Sequence, residues 1–253
     1  MLRMFLLLAL CFPALAQAEE VVLGLSQKRV QITTNFDGSE ILIFGAVKRD
    51  GPAPSGAPLE VIVAVEGPST ALTVRRKERR YGIWINVDAV EVDAAPAFYA
   101  VATSVPFADA ITKTEDLRYS VSIPRAVRSV GAPMNVKDAQ GFASAVIRIR
   151  ENSGLYQLHE NSVTLTDQTL FETRVALPAN LTEGDYKARI FLTRSGKVVS
   201  EYETLIDVHK VGLERFLFNL SRQQPLIYGL LSLAIAIAAG WLASAAFRIF
   251  QRN

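Results

Sequence analysis

Arg75-Arg76-Lys77-Glu78-Arg79-Arg80 sets five cations and one carboxylate in six consecutive residues, the densest charge in the chain. Four net positive charges on long multi-donor side chains can hold an anionic lipid headgroup, an anionic solute or an acidic protein surface. The same run also suits a solvated hairpin whose charges keep a strand edge from pairing with other chains. It leads into Tyr81-Gly82-Ile83-Trp84-Ile85-Asn86, where Trp84 alternates with two isoleucines. Period-two alternation turns Ile83 and Ile85 toward a core. Trp84 then fills a second core layer or stands out as a contact, and burial is the expectation. Arg75, Arg76, Lys77, Arg79, Arg80 and Trp84 make up the candidate contact patch.

Nothing else in the chain points to a reaction. The two histidines, His159 and His209, lie fifty residues apart on predicted strands or their ends, with no Cys or His cluster to complete a ligand set. A metal centre needs three or four ligands, so neither metal nor cofactor is expected. Gly-x-Ser-x-Gly elbows and Gly-rich phosphate loops are missing. A Ser-His-Asp triad is defined by geometry and not by order, yet no nucleophile stands out, and the chain is not expected to be an enzyme.

The elements that would position this patch begin with the ends of the chain. Gln223 to Phe247 is a run of 25 residues free of Asp, Glu, Lys, Arg and His, with Arg222 before it and Arg248 and Arg252 after it. At about 1.5 Å per residue, this crosses a hydrocarbon core of roughly 30 Å. Tyr228 and Trp241 suit the two interfaces, where amphipathic rings are favoured. At the other end, Arg3, the apolar stretch Met4 to Phe12 and Ala16-Gln17-Ala18 form a secretory leader cleaved after Ala18. Cys11 is the only cysteine, and Leu10 before it is too large for lipid attachment. The mature chain therefore has no disulfide and no thiol. A leader followed by a stop-transfer helix predicts a single-pass protein of the bacterial inner membrane, its N-terminal part periplasmic and its C-terminus cytoplasmic. Setting aside Arg3, Arg248 and Arg252 leaves 24 basic against 25 acidic residues, which gives no pull toward nucleic acid.

Between the ends, β-branched runs at about ten-residue spacing predict a mainly β protein of immunoglobulin-like sandwich modules with helical insertions. Asp37-Gly38 is a turn signal that would pair the strand at Arg29 to Thr33 with that at Glu40 to Val47. Gly51 to Pro58 is a loop. Ala71 to Val74 and Tyr81 to Val87 are strands flanking the charged run. Pro106 to Leu117 and Asp138 to Glu151 read as helices, the second closed by Gly154. Ser195-Gly196 is a hairpin turn, and Tyr186 after Thr182-Glu183-Gly184-Asp185 resembles the tyrosine corner of such sandwiches. The expected layout is leader 1–18, first β module 19–104, helical insertion 105–152, second β module 153–210, amphipathic juxtamembrane helix 211–224, membrane helix 225–247 and tail 248–253. In the juxtamembrane helix, Leu213, Phe216, Leu217 and Leu220 share one face, as an interfacial helix requires. Within the span, Ser232, Ala236, Gly240 and Ser244 recur every fourth residue. Such a small-residue stripe lets a second helix approach closely, although a span this rich in Ala can produce one by chance.

Several segments together resemble one family. They are Asn35-Phe36-Asp37-Gly38-Ser39-Glu40, the stretch Arg75 to Asn86, Phe98-Tyr99-Ala100, Leu177-Pro178-Ala179-Asn180, and Lys210-Val211-Gly212-Leu213-Glu214-Arg215 continuing through Gln224-Pro225-Leu226-Ile227-Tyr228-Gly229 to Gly240-Trp241-Leu242. The family is a set of alphaproteobacterial transmembrane proteins with a leader, an exported domain and one C-terminal helix, and it carries no assigned activity. The resemblance implies partnership with a sulfite-exporter-type permease, near which members are often encoded. It supplies no catalytic residues. The expectation is a membrane-anchored periplasmic binding or assembly protein, in its most concrete form an accessory subunit of an anion permease. The lipid bilayer is one partner, and a multi-pass membrane protein or a second copy of the chain, met through the membrane helix, is another. An anchored periplasmic enzyme acting on an anionic solute is the alternative.

Overall fold

The computed structural model describes residues 19–33, 36–49, 56–128, 139–211 and 213–250. The predicted leader, most of the predicted loop at Gly51 to Pro58 and the last three residues of the tail lie outside the described residues. Those described fall into two compact units. The first runs through Val208 apart from a short piece beginning at Gln31, and the second joins that piece to the chain from His209 onward.

The protein is mainly β. In chain order the strands are β1 (Glu19–Leu25), β2 (Arg29–Ile32), β3 (Gly38–Arg49), β4 (Leu59–Glu66), β5 (Ser69–Arg80), β6 (Ile83–Pro96) and β7 (Tyr99–Thr103), followed by β8 (Tyr156–His159), β9 (Thr164–Thr166), β10 (Leu170–Pro178), β11 (Gly184–Arg194) and β12 (Lys197–Lys210). One sheet has the order β1-β3-β10-β9, a second β2-β12-β11-β4-β7-β8, and β5-β6 form a separate ribbon. Both larger sheets thus combine strands from 19–104 with strands from 153–210. The two expected β modules are one interleaved unit, because β3 finds its partner in β10 and β4 finds its partner in β11. The Asp37-Gly38 signal also misleads on pairing. β3 pairs with β1, and β2 lies beside β12, where Asp207 receives Arg29 at 3.0 Å.

The burial pattern follows strand chemistry. β10 alternates strictly, with Phe171, Thr173, Val175 and Leu177 buried and the residues between them exposed, as a sheet with one wet face demands. β4 is buried almost throughout, because both of its faces are covered. Ile62, Ala64, Tyr99, Val101 and Phe191 share a core cluster with residues of the helical segment. That segment is α1 (Phe107–Ala110), α2 (Lys113–Tyr119), α3 (Ile123–Ala126) and α4 (Ala139–Asn152). It sits where it does because β7 and β8 pair in parallel, and a parallel pair needs a long crossover. The single helix expected at Pro106 to Leu117 is two short ones. The backbone breaks at Thr112, whose N–H donates to Gly196 O at 2.8 Å and whose hydroxyl caps α2 through Glu115 N. The expected helix at Asp138 to Glu151 is α4.

Two local signals are met as read. Ser195 and Gly196 turn with φ of 50° and 72° between β11 and β12. The Tyr186 hydroxyl donates to Thr182 O at 2.7 Å, the corner bond, while its ring is fully buried. The second unit carries α5 (Leu213–Gln223), at the place of the expected juxtamembrane helix, and α6 (Pro225–Phe250). Pro225 at the start of α6 needs no helical N–H donor there. Pro225 to Ser244 is long and apolar enough to cross a membrane, and among the described residues nothing buries it.

Candidate contact site on a β-hairpin

The charged run is itself a strand. β5 continues unbroken from Ser69 through Arg80, and the reversal is the two-residue turn Tyr81-Gly82 with φ of 51° and 86°. Positive φ at both central positions matches the right-handed twist of the flanking strands and closes Arg80 against Ile83. The charged residues therefore line one arm of a long ribbon.

The base of the ribbon belongs to the core. Leu72 pairs with Val92 and Val74 with Val90, and this face packs against Val121, Ile123, Val127 and Val146 of the helical segment. Arg76 marks the boundary. It forms an ion pair with Asp88 and lies 5.6 Å from the ring centre of Phe142 on α4. From Lys77 to Tyr81, at about 3.3 Å per residue, the ribbon runs on for roughly 15 Å. Ile83 is 64% exposed and Trp84 is 67% exposed. The expected burial of Trp84 is thus overturned. Among the described residues no third strand pairs with either arm, so alternation beyond Asp88 does not by itself bury a face.

Strand geometry sorts the cations. Residues two apart share a face, and cross-strand partners share it too. Leu72, Val74, Arg76, Glu78 and Arg80 occupy one face of β5, and there Arg76 is paired with Asp88 and Arg80 with Glu78 at 3.0 Å. Arg75, Lys77 and Arg79 occupy the other, with Trp84 directly across from Arg79. Among the described residues no ion pair neutralises these three. Of the six residues in the expected patch, the structure thus groups four: Arg75, Lys77, Arg79 and Trp84. It assigns Arg76 and Arg80 to the neutralised face. Tyr81, fully exposed at the turn, belongs to the site although the alternation argument passed over it. The signal was available, since an arm charged at all six positions has no apolar face for anything to cover.

Replacing Arg75, Lys77 and Arg79 together with Gln is expected to change the unfolding free energy by less than about 1 kcal/mol, because exposed charges contribute little. A urea titration of the full chain in detergent measures it, and a loss of several kcal/mol would make these cations structural instead.

The other candidates are placed less productively. Ser232, Ala236, Gly240 and Ser244 all lie exposed on α6, and an added Cβ at Gly240 would meet no atom within 4 Å, so nothing among the described residues packs on this stripe. His159 is exposed on β8 with Nε2 2.9 Å from Gln157 Oε1, and His209 lies near the end of β12. Among the described residues no group of three or more His, Cys, Asp or Glu is arranged for a metal. Tyr99, Tyr156 and Tyr186 are each pushed up to about 12 by burial, so they act as hydrogen-bond donors and not as bases. An open depression of about 460 Å³ on the first sheet is lined mainly by Leu42, Phe44, Leu170 and Phe171, with Glu172 and Thr166 as its polar groups. That lining lacks the converging polar groups of a catalytic pocket.

A family model described as "Putative transmembrane protein (Alph_Pro_TM)" matches residues 20–249. No curated relative matches the chain.

Proposed function

Because the chain belongs to the Alph_Pro_TM transmembrane family, we propose that it is a single-pass inner-membrane protein that presents its β unit to the periplasm as a binding or assembly element. The observation that carries this reading is the ribbon tip, with Trp84 and three cations that no ion pair among the described residues neutralises on one exposed face that the core does not need. The leader signature and the arginines after the span support the orientation, with the tail in the cytoplasm. The Tyr186 corner supports an immunoglobulin-like character for the β unit. The uncovered span and its small-residue stripe support a helix partner within the bilayer, either a multi-pass protein or a second copy. An anion permease of the sulfite-exporter type is the most concrete candidate, and it rests on the resemblance of the chain to its family.

Affinity purification of the tagged full-length protein from native membranes is expected to recover a stoichiometric membrane partner. Gly240→Leu with Ala236→Leu should still insert, since both changes favour hydrocarbon, and should lower crosslinked yield several-fold. Leu233→Ile with Ile237→Leu, on another face, should not. Equal yields from both pairs would reduce the stripe to an accident of composition. Recovery of no partner, together with turnover of an anionic solute by the isolated protein, would replace this reading with an anchored enzyme. In the same membranes, protease added from the periplasmic side should remove the β unit and spare the tail, and the reverse pattern would invert the orientation.

A further inference from the structure

We infer that the tip of the β5-β6 ribbon seats on an anionic phospholipid surface, with Tyr81, Ile83 and Trp84 entering the headgroup layer and Arg75, Lys77 and Arg79 meeting the phosphates. This deepens the reading of the ribbon as the contact element and rests on it. Three observations favour lipid over an acidic protein.

The first is the order of chemistry along the ribbon. Its vertex exposes Tyr81, Ile83 and Trp84, with Arg79 level with Trp84 and Lys77 and Arg75 behind it along the shaft. Amphipathic rings settle at headgroup depth, and Arg and Lys reach phosphate while their stems stay in apolar surroundings. A protein acceptor matched to this charge would engage the broad cationic face and leave the vertex in water.

The second is the turn itself. Tyr81 holds φ of 51°, where Asn, Asp or Gly is the favoured occupant. A bulky residue in that region is strained. Tyr81 is fully exposed, so no packing within the described residues offsets this. A headgroup layer would give the ring its role.

The third is proximity. The same chain carries an apolar span, so a bilayer is present at high effective concentration wherever the protein is inserted. A weak contact then suffices. Each cation near an anionic leaflet is worth about fivefold in the bound-to-free ratio of the tip, and the three together about a hundredfold.

The test uses the full chain, which has two tryptophans, Trp84 and Trp241. With Trp241→Phe, Trp84 reports alone. The protein is reconstituted into phosphatidylcholine vesicles with and without phosphatidylglycerol at about one lipid in three. In the anionic vesicles Trp84 emission should shift to the blue and be quenched by brominated acyl chains. Raising salt to about 1 M, where the Debye length falls to roughly 3 Å, should reverse both effects. Arg75→Gln, Lys77→Gln and Arg79→Gln combined should abolish them, and a circular-dichroism melt of that variant confirms that it folds. The salt titration gives the same answer with every charge in place. Identical emission in neutral and anionic vesicles, or quenching indifferent to salt, would overturn the inference. So would a blue shift seen only in native membranes that hold a protein partner. In that last case the ribbon remains a contact element, and the function proposed above survives with a protein as the occupant. Loss of the partner in affinity purification, with the lipid response intact, would instead sink the assembly function and leave the tip as a membrane foot.

Discussion

Glu19→Gln is expected to lower the unfolding free energy by about 3–5 kcal/mol, the range for removing one partner from a buried ion pair. The Glu19 carboxylate receives Arg49 Nε at 2.6 Å and Arg194 at 2.8 Å and 3.1 Å, and the three side chains are only 4%, 12% and 14% exposed. Arg49 belongs to β3 in the first sheet and Arg194 to β11 in the second, so one carboxylate ties the two sheets together. Glutamine keeps the shape of the side chain and removes the charge, leaving two guanidiniums with little water and no counter-ion. Replacing all three with Leu and Met should recover most of the loss, because the cost lies in the unpaired charges.

The pH dependence carries a definite sign. The hydrogen bond from Arg194 holds the Glu19 carboxyl below its ordinary value of 4.5, against the upward push of burial and with further help from Arg49. A depressed folded value means that the stabilisation is complete above 4.5 and is lost as pH falls through the lowered value. Urea titrations followed by the β circular-dichroism signal should therefore show the unmodified chain losing stability below pH 4.5 more steeply than Glu19→Gln. Parallel curves would show that the carboxylate is not the latch.

How much of this was legible in the sequence depends on the range of the interaction involved. Turns and single elements were readable because they are local. Ser195-Gly196, the Tyr186 corner, α4 and the apolar span each declare themselves within a few residues. Pairing was not, because β3 chooses β10 across more than a hundred intervening residues and no residue pattern in either strand names the other. The split into two β modules failed for that reason. Trp84 failed for a different one. Alternation reports which residues share a face, and only the surroundings decide whether that face is covered. The three residues of the Glu19 latch come from β1, β3 and β11, and each reads in sequence as an ordinary surface charge.

The second large effect is expected at Arg189. Its guanidinium lies 12% exposed on the helical side of the second sheet and reaches three groups at once. Nη1 donates to Tyr119 O at 2.7 Å, while Nη2 donates to Ser120 O at 3.2 Å and to the Tyr99 hydroxyl at 3.1 Å. The Tyr99 hydroxyl in turn donates to Val121 O at 2.8 Å. Ser120 ends α2 in the left-handed region with φ of 51°, so the arginine secures a strained turn. Arg189→Met keeps the length and apolar stem but takes the guanidinium from two part-buried carbonyls, of which Tyr119 O loses its charged donor outright and Ser120 O keeps only the Tyr99 hydroxyl, and it also removes the cation 3.9 Å from Glu66. A loss of about 3 kcal/mol follows from charge-assisted bonds of about 1.5–3 kcal/mol that overlap in one network. Tyr99→Phe should cost about 1 kcal/mol, and the double variant less than the sum, since both act on the same turn. Arg189→Lys should restore under half, because one ammonium cannot span acceptors that a planar fork reaches together. Full additivity in that cycle would show separate contacts and no network. The consequence extends to the ribbon. Val121, Ile123 and Val127, which follow this turn, belong to the core cluster that includes Val92 at the ribbon base. Arg189→Met should thus weaken any contact made by Trp84 without touching the tip. Direct loss of the tip cations should remove that contact and leave the melt unchanged, so the melting curve would tell the two apart.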